Sequence, residues 1–162
     1  MTNIRAILKY FGAFILGLTI GIMSEDSLHK LVRQLYESFT YNKIRFDIPK
    51  FDLYFFSIPF IITLGIYFIF LIFLFSRISK NKRLINSILT LVFLVSFFLI
   101  SCYFGANLKL VECTACDDGI LILKYSDIGY IKIFSVSLLT SLIPCIWSEI
   151  RTGKQTEIKA SL

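Results

Sequence analysis

The sequence predicts an all-α membrane protein: four transmembrane helices with an interfacial amphipathic helix and a small extracytoplasmic β-element. All of it forms one domain over residues 1–162. Two apolar runs carry that prediction. Leu53–Phe75 holds no charged residue in 23 positions, and Leu84–Phe104 holds none in 21. At 1.5 Å per helical residue each reaches roughly 30 Å, enough to cross a hydrocarbon core. Between them Arg77, Lys80, Lys82 and Arg83 form a short basic elbow with no acid, the pattern of a cytoplasmic loop. A composition that is 56% hydrophobic, with mean hydropathy +0.75, excludes an ordinary soluble domain. Too few residues lie outside the apolar runs to build a separate catalytic domain.

The first element is a basic start with Arg5 and Lys9, followed by an apolar stretch to Met23. Residues 6–23 make an 18-residue span if Lys9 snorkels to the interface. A signal peptide is the rival reading, but Gly21-Ile22-Met23-Ser24 offers no small-x-small cleavage site, so an uncleaved helix is expected. Ala13, Gly17 and Gly21 recur every four residues and give this helix one small face for close packing.

Ser24–Phe39 reads as the amphipathic helix, the beginning of an outer loop over 24–52. Ser24 is placed to cap it, and Leu28, Leu31, Val32, Leu35, Tyr36 and Phe39 follow the helical repeat. It is expected to lie along the membrane–water interface, with His29, the single histidine, solvated. Lys43–Ile48 then alternates polar and apolar with period two, a short-strand signal ended by Pro49. Pro59 falls in the first turn of the second span (53–75), where its missing N–H is tolerated.

After the third span (84–104), the second outer loop (105–127) carries two β-prone runs, 108–113 and 120–125. They flank Thr114-Ala115-Cys116-Asp117-Asp118-Gly119, which predicts a hairpin that pairs with the 43–48 strand. The fourth span, 128–147, is interrupted only by Lys132 near one end. Ser137 and Ser141 again lie four apart, Pro144 is placed to kink the helix, and Trp147 suits an interface. Residues 148–162 read as a mobile polar tail.

The charges orient these spans. With both termini and the elbow inside, nine of the 17 Lys/Arg fall in the short inner segments, and nine of the 11 acids fall in the outer loops. The density of Lys/Arg beside the span ends places both termini in the cytoplasm. The net charge of +6 is explained by that topology, and no nucleic-acid motif accompanies it.

One motif has reactive potential: Cys113-Thr-Ala-Cys116. A structural disulfide between Cys113 and Cys116, stapling the hairpin in an oxidising compartment, competes with a redox pair and with metal or free thiols. Asp117 and Asp118 disfavour a thiolate, and a zinc site needs more ligands than one CxxC supplies. The remaining candidates, Ala13, Gly17, Gly21, Ser137 and Ser141, serve either packing within the bundle or contact with a partner. The spans lack a central charge of the kind that ion-coupled transport uses, and no catalytic motif or phosphate loop is present. The expectation is a protein that acts by contact, not an enzyme, without metal or cofactor. Its partners are the lipid bilayer and another membrane protein, and a homo-oligomer is allowed.

Several stretches carry a family resemblance: Ser57-Ile58-Pro59-Phe60 opening the second span, the basic elbow 76–83, and Asn107-Leu108 through Thr114-Ala115. With the span count and loop lengths, they make the chain resemble the four-helix inner-membrane immunity proteins of pore-forming colicins of the A, B and N type. In this chain Lys109 stands where that family has an acid, and Cys113 and Cys116 have no counterpart there. The resemblance implies a bacterial inner-membrane immunity protein. It would neutralise a pore-forming toxin by contact with the toxin's transmembrane helices, within the membrane or at its outer face. Two alternatives stand beside it: a membrane thiol–disulfide oxidoreductase using Cys113 and Cys116, and an accessory subunit or assembly factor of a membrane complex.

Overall fold

A computed structural model describes residues 2–47, 58–112 and 119–160. Helix α1 covers Thr2–Phe39, α2 Ile58–Arg77, α3 Lys80–Glu112, α4 Tyr130–Ser141 and α5 Ile143–Ala160. Strands β1 (Ile44–Phe46) and β2 (Leu121–Leu123) lie in the two longer connections, and Tyr125–Asp127 forms a single 3-10 turn. Among the described residues four helical stretches are long and apolar enough to cross a membrane: one within each of α1, α2 and α3, and one over Tyr130–Arg151.

The helices run alternately up and down. One end of the bundle, the elbow end, holds the α2–α3 turn; the other, the loop end, holds β1 and β2. Helix α1 packs mainly on α2 and α3 mainly on α4. Contacts of α1 with α3 and of α2 with α4 close the ring, leaving α2 and α3 diagonally opposed. Two consecutive helices joined by only Ile78 and Ser79 therefore barely touch. The core follows the same plan, running from Val32, Tyr36 and Ile44 at the loop end through Leu64 and Leu138 to Leu74 and Cys145.

Helix α1 differs from the sequence expectation. The first span and the interfacial helix are one continuous 38-residue helix, about 57 Å long. Ser24 does not cap a new helix; its hydroxyl donates to the Ile20 carbonyl at 2.7 Å, a bond made inside a continuing helix. No Gly-Pro break separates the halves, and one buried stripe runs through both: Ala13, Gly17, Gly21, Glu25, His29, Val32 and Tyr36. His29 is correspondingly buried, not solvated, and its ring stacks on Tyr130 with centroids 4.3 Å apart. Helix α1 ends where Tyr41 and Asn42 turn left-handed (φ 52° and 60°), and the Asn42 N–H returns to the Glu37 carbonyl at 2.8 Å.

The predicted hairpin is half corrected. Residues 108–112 of its first arm (108–113) belong to the last turns of α3, where Lys109 and Glu112 pair at 2.7 Å across one helical turn. Residues 113–118, with most of the predicted turn, lie outside the described residues. The second arm does form a strand, and β2 pairs with β1 in parallel, Ile44 opposite Leu121 and Phe46 opposite Leu123. Each strand leads from a helix that rises to the loop end into one that descends from it, so the two must run the same way. Bonds from the Leu121 N–H to the Lys43 carbonyl (2.7 Å) and from the Asp47 N–H to the Leu123 carbonyl (3.0 Å) extend the pairing.

At the elbow end the chain keeps its helix longer than expected. The predicted mobile tail is helical in α5 as far as Ala160. Arg77 and Glu149 (3.7 Å) and the Asn86 amide donating to the Ser148 hydroxyl (3.2 Å) tie its beginning to α2 and α3. The fourth span is broken at Leu142, two residues before Pro144, whose ring would collide with the carbonyl of Thr140 in an unbroken helix.

Candidate functional site

The small-residue face of α1 is occupied by the chain itself. A Cβ on Gly17 would lie 2.7 Å from the Gly65 Cα, and one on Gly21 would lie 3.3 Å from the Ile61 Cα. The α1 and α2 backbones thus touch at the Gly17/Gly65 crossing, a contact that glycine at 17 permits, while a Cβ on Gly65 would meet the Phe14 and Leu18 side chains. Ala13 continues the seam and is 3% exposed. Gly65, the second half of the crossing, carries no distinguishing spacing in its own helix, which is why sequence reasoning missed it.

Ser137 and Ser141 are also turned inward. The Ser137 hydroxyl donates to the Ile133 carbonyl (2.6 Å), and Ser141 shares a 2.7 Å hydrogen bond with the Tyr67 hydroxyl across the α2–α4 interface. A polar ladder continues from there toward the elbow: Thr90 with the Cys145 thiol at 3.3 Å, Asn86 with Ser148, and Arg77 with Glu149. Interhelical bonds of this kind in an apolar bundle contribute about 0.6–2 kcal/mol each. All five packing candidates therefore lie inside the monomer. Cys113 and Cys116 lie outside the described residues. Cys102 and Cys145 are free thiols, buried in the bundle.

Among the described residues a crevice of about 560 Å³ lies between α2 and α3. Phe68, Leu71 and Phe75 form one wall, and Leu91, Leu94 and Val95 form the other. Its loop end is lined by packed rings, Phe60 tilted on Phe134 (4.4 Å) and Phe134 stacked on Phe98 (5.7 Å), and by Ile20, Leu28 and Leu31 of α1. Toward the elbow α1 no longer lines it: Ile4, Ile7, Leu8 and Phe11 all stand exposed. The hydroxyls around the crevice are bonded within the fold, Ser24 to Ile20, Ser87 to Arg83 (2.9 Å) and Thr90 to Asn86 (2.7 Å). It offers an occupant hydrocarbon and nothing else.

The elbow cations sit at the open end of this crevice. Phe75 is two residues before Arg77, and Ser87 is bonded to the carbonyl of Arg83. Arg77 is engaged by Glu149 and lies 5.1 Å from the Phe73 ring centroid. Lys80, Lys82 and Arg83 are exposed and have no carboxylate partner among the described residues. No group of three or more His, Cys, Asp or Glu able to hold a metal occurs among the described residues.

The outer surface of α3 is the second candidate. Of the four apolar stretches it is the least buried, and Ile88, Val92, Leu99 and Tyr103 form an exposed stripe along it. Comparison with protein-family models, with curated proteins and with solved structures finds no match to this chain.

Proposed function

We propose that this chain is a bacterial inner-membrane immunity protein that neutralises a pore-forming toxin by lateral contact with the toxin's membrane helices. The observation that carries the reading is the division of labour among its apolar surfaces. The glycine seam and the hydroxyl ladder are consumed inside the monomer, while α3 presents a charge-free face, Ile88, Val92 and Leu99, that the bundle does not need. A face of that kind can hold a hydrophobic helix inside the bilayer by packing alone, before a channel opens. The protein works by contact and not by catalysis.

In this reading the elbow and both termini face the cytoplasm, because the Lys/Arg-rich segments border the spans there. The strand pair β1–β2 and the exposed Tyr41 at the α1 terminus then stand on the outer side, where a toxin arrives. The test is protection: the chain is expressed in sensitive bacteria, which are challenged with the pore-forming toxins encoded beside its gene. Survival against one toxin and not against others supports the reading; killing by all of them at normal expression ends it.

A further inference from the structure

We infer that the crevice between α2 and α3 is a binding site for one acyl chain of an anionic phospholipid, whose phosphate rests on the basic elbow. The inference depends on the helices crossing a bilayer and does not depend on immunity.

Three observations converge. The crevice is walled by side chains with no free polar group, so its occupant there must be hydrocarbon. Its lining runs from Ser87 to Phe98 on α3, about 16 Å, and from Phe60 to Phe75 on α2, about 22 Å. That is about half to three-quarters of a 30 Å hydrocarbon core, room for the extended part of one acyl chain. Its loop end is lined by the packed Phe60, Phe134 and Phe98 rings, so a chain enters from the elbow end.

The charges then select the head group. Lys80, Lys82 and Arg83 are exposed at the mouth, and none has a carboxylate partner among the described residues. A phosphodiester with a net negative charge complements that cluster, whereas a zwitterionic head group brings its own cation to it. Volume alone would not discriminate between lipids; the cluster at the mouth does.

The experiment is native mass spectrometry of the full chain in a neutral detergent, titrated with dioleoylphosphatidylglycerol or dioleoylphosphatidylcholine. One phosphatidylglycerol should be retained in preference to phosphatidylcholine. The triple variant Lys80→Gln/Lys82→Gln/Arg83→Gln should reduce that preference by roughly a hundredfold, as three surface cations imply. Leu91→Trp/Val95→Trp, which fills the crevice at two half-open positions, should abolish retention of either lipid. Leu139→Trp, on the exposed face of α4, should change nothing. Equal retention of the two lipids, displacement by soluble glycerol phosphate, or retention by the crevice-filled variant would each overturn the inference. Arg83 also donates from Nε to the Ile78 carbonyl (3.2 Å), so the double variant Lys80→Gln/Lys82→Gln, which alters only exposed side chains, keeps the test open even if the other variants do not fold. It should lower the preference about thirtyfold, and an unchanged preference would overturn the inference. No toxin enters the assay, so this site and the immunity reading can fail separately.

Discussion

Helix α2 has two sides that meet their neighbours in opposite ways. Toward α1 it presents Gly65, and with Gly17 opposite the backbones come into contact. Toward α3 it presents Phe68, Leu71 and Phe75, and a crevice of about 560 Å³ is left. In a hydrocarbon surrounding there is no hydrophobic drive to close such a gap, since lipid tails solvate leucine and phenylalanine as well as other side chains do. Association must come from close packing and hydrogen bonds. Small residues therefore make the permanent interface, and large ones leave a surface that another molecule can fill.

The seam should break most readily. Gly17→Val places side-chain atoms into the Gly65 backbone, and overpacking of this kind should cost about 3 kcal/mol. Unfolding of the purified protein in mixed micelles measures it. Gly65→Val should cost less than Gly17→Val, because its Cβ would meet the outer edge of the Phe14 ring, 2.6 Å away, which can turn aside where backbone cannot. A loss below that of an exposed α3 substitution would refute the account of the seam.

The hydroxyl ladder should give a smaller effect. Tyr67→Phe keeps the ring and removes the bond to Ser141, for an expected loss of about 1 kcal/mol in the same assay. At the loop end Glu25 is 9% exposed, and its Oε1 has no hydrogen-bond partner among the described residues. Glu25→Met replaces that unbonded oxygen by apolar atoms at similar size and should stabilise the protein by about 1 kcal/mol.

The smallest stability change belongs to the other side of the comparison. Ile88→Ala and Val92→Ala, on the exposed face of α3, should alter stability by less than about 0.5 kcal/mol. If α3 is the contact face, the same two substitutions should lower protection against the cognate toxin while expression is unchanged. Unimpaired protection would move the contact elsewhere on the molecule.

Much of the helical framework was legible because charge-free runs of 21 to 23 residues admit few other conformations in a membrane. Even the pairing of the 43–48 segment with a strand after the third span followed from its alternation and from strand edges that need cover. Errors came where local signals compete. Ser24 with Glu25 and Asp26 resembles a helix start, yet the same residues continue a helix when the buried face runs on. The four-residue spacing of Ala13, Gly17 and Gly21 extends to Glu25 and His29, and reading it further would have predicted both the single helix and the buried histidine. Residues 108–110 alternate apolar and polar like a strand, but Leu108, Lys109, Leu110 and Glu112 are good helix formers, and the α3 helix already formed before them extends more cheaply than a new hairpin nucleates.

By itself the sequence determined the number of apolar helices, the basic elbow and the small faces at 13–21 and 137–141, because each depends on composition and spacing within one segment. Only the tertiary structure decided which helix each face meets. The partner of Gly17 is set by where Gly65 stands after folding, and the diagonal placement of α2 and α3 follows from all the contacts in the ring together. The crevice beside the elbow belongs to that second class: it exists because two neighbours in the chain are not neighbours in the bundle.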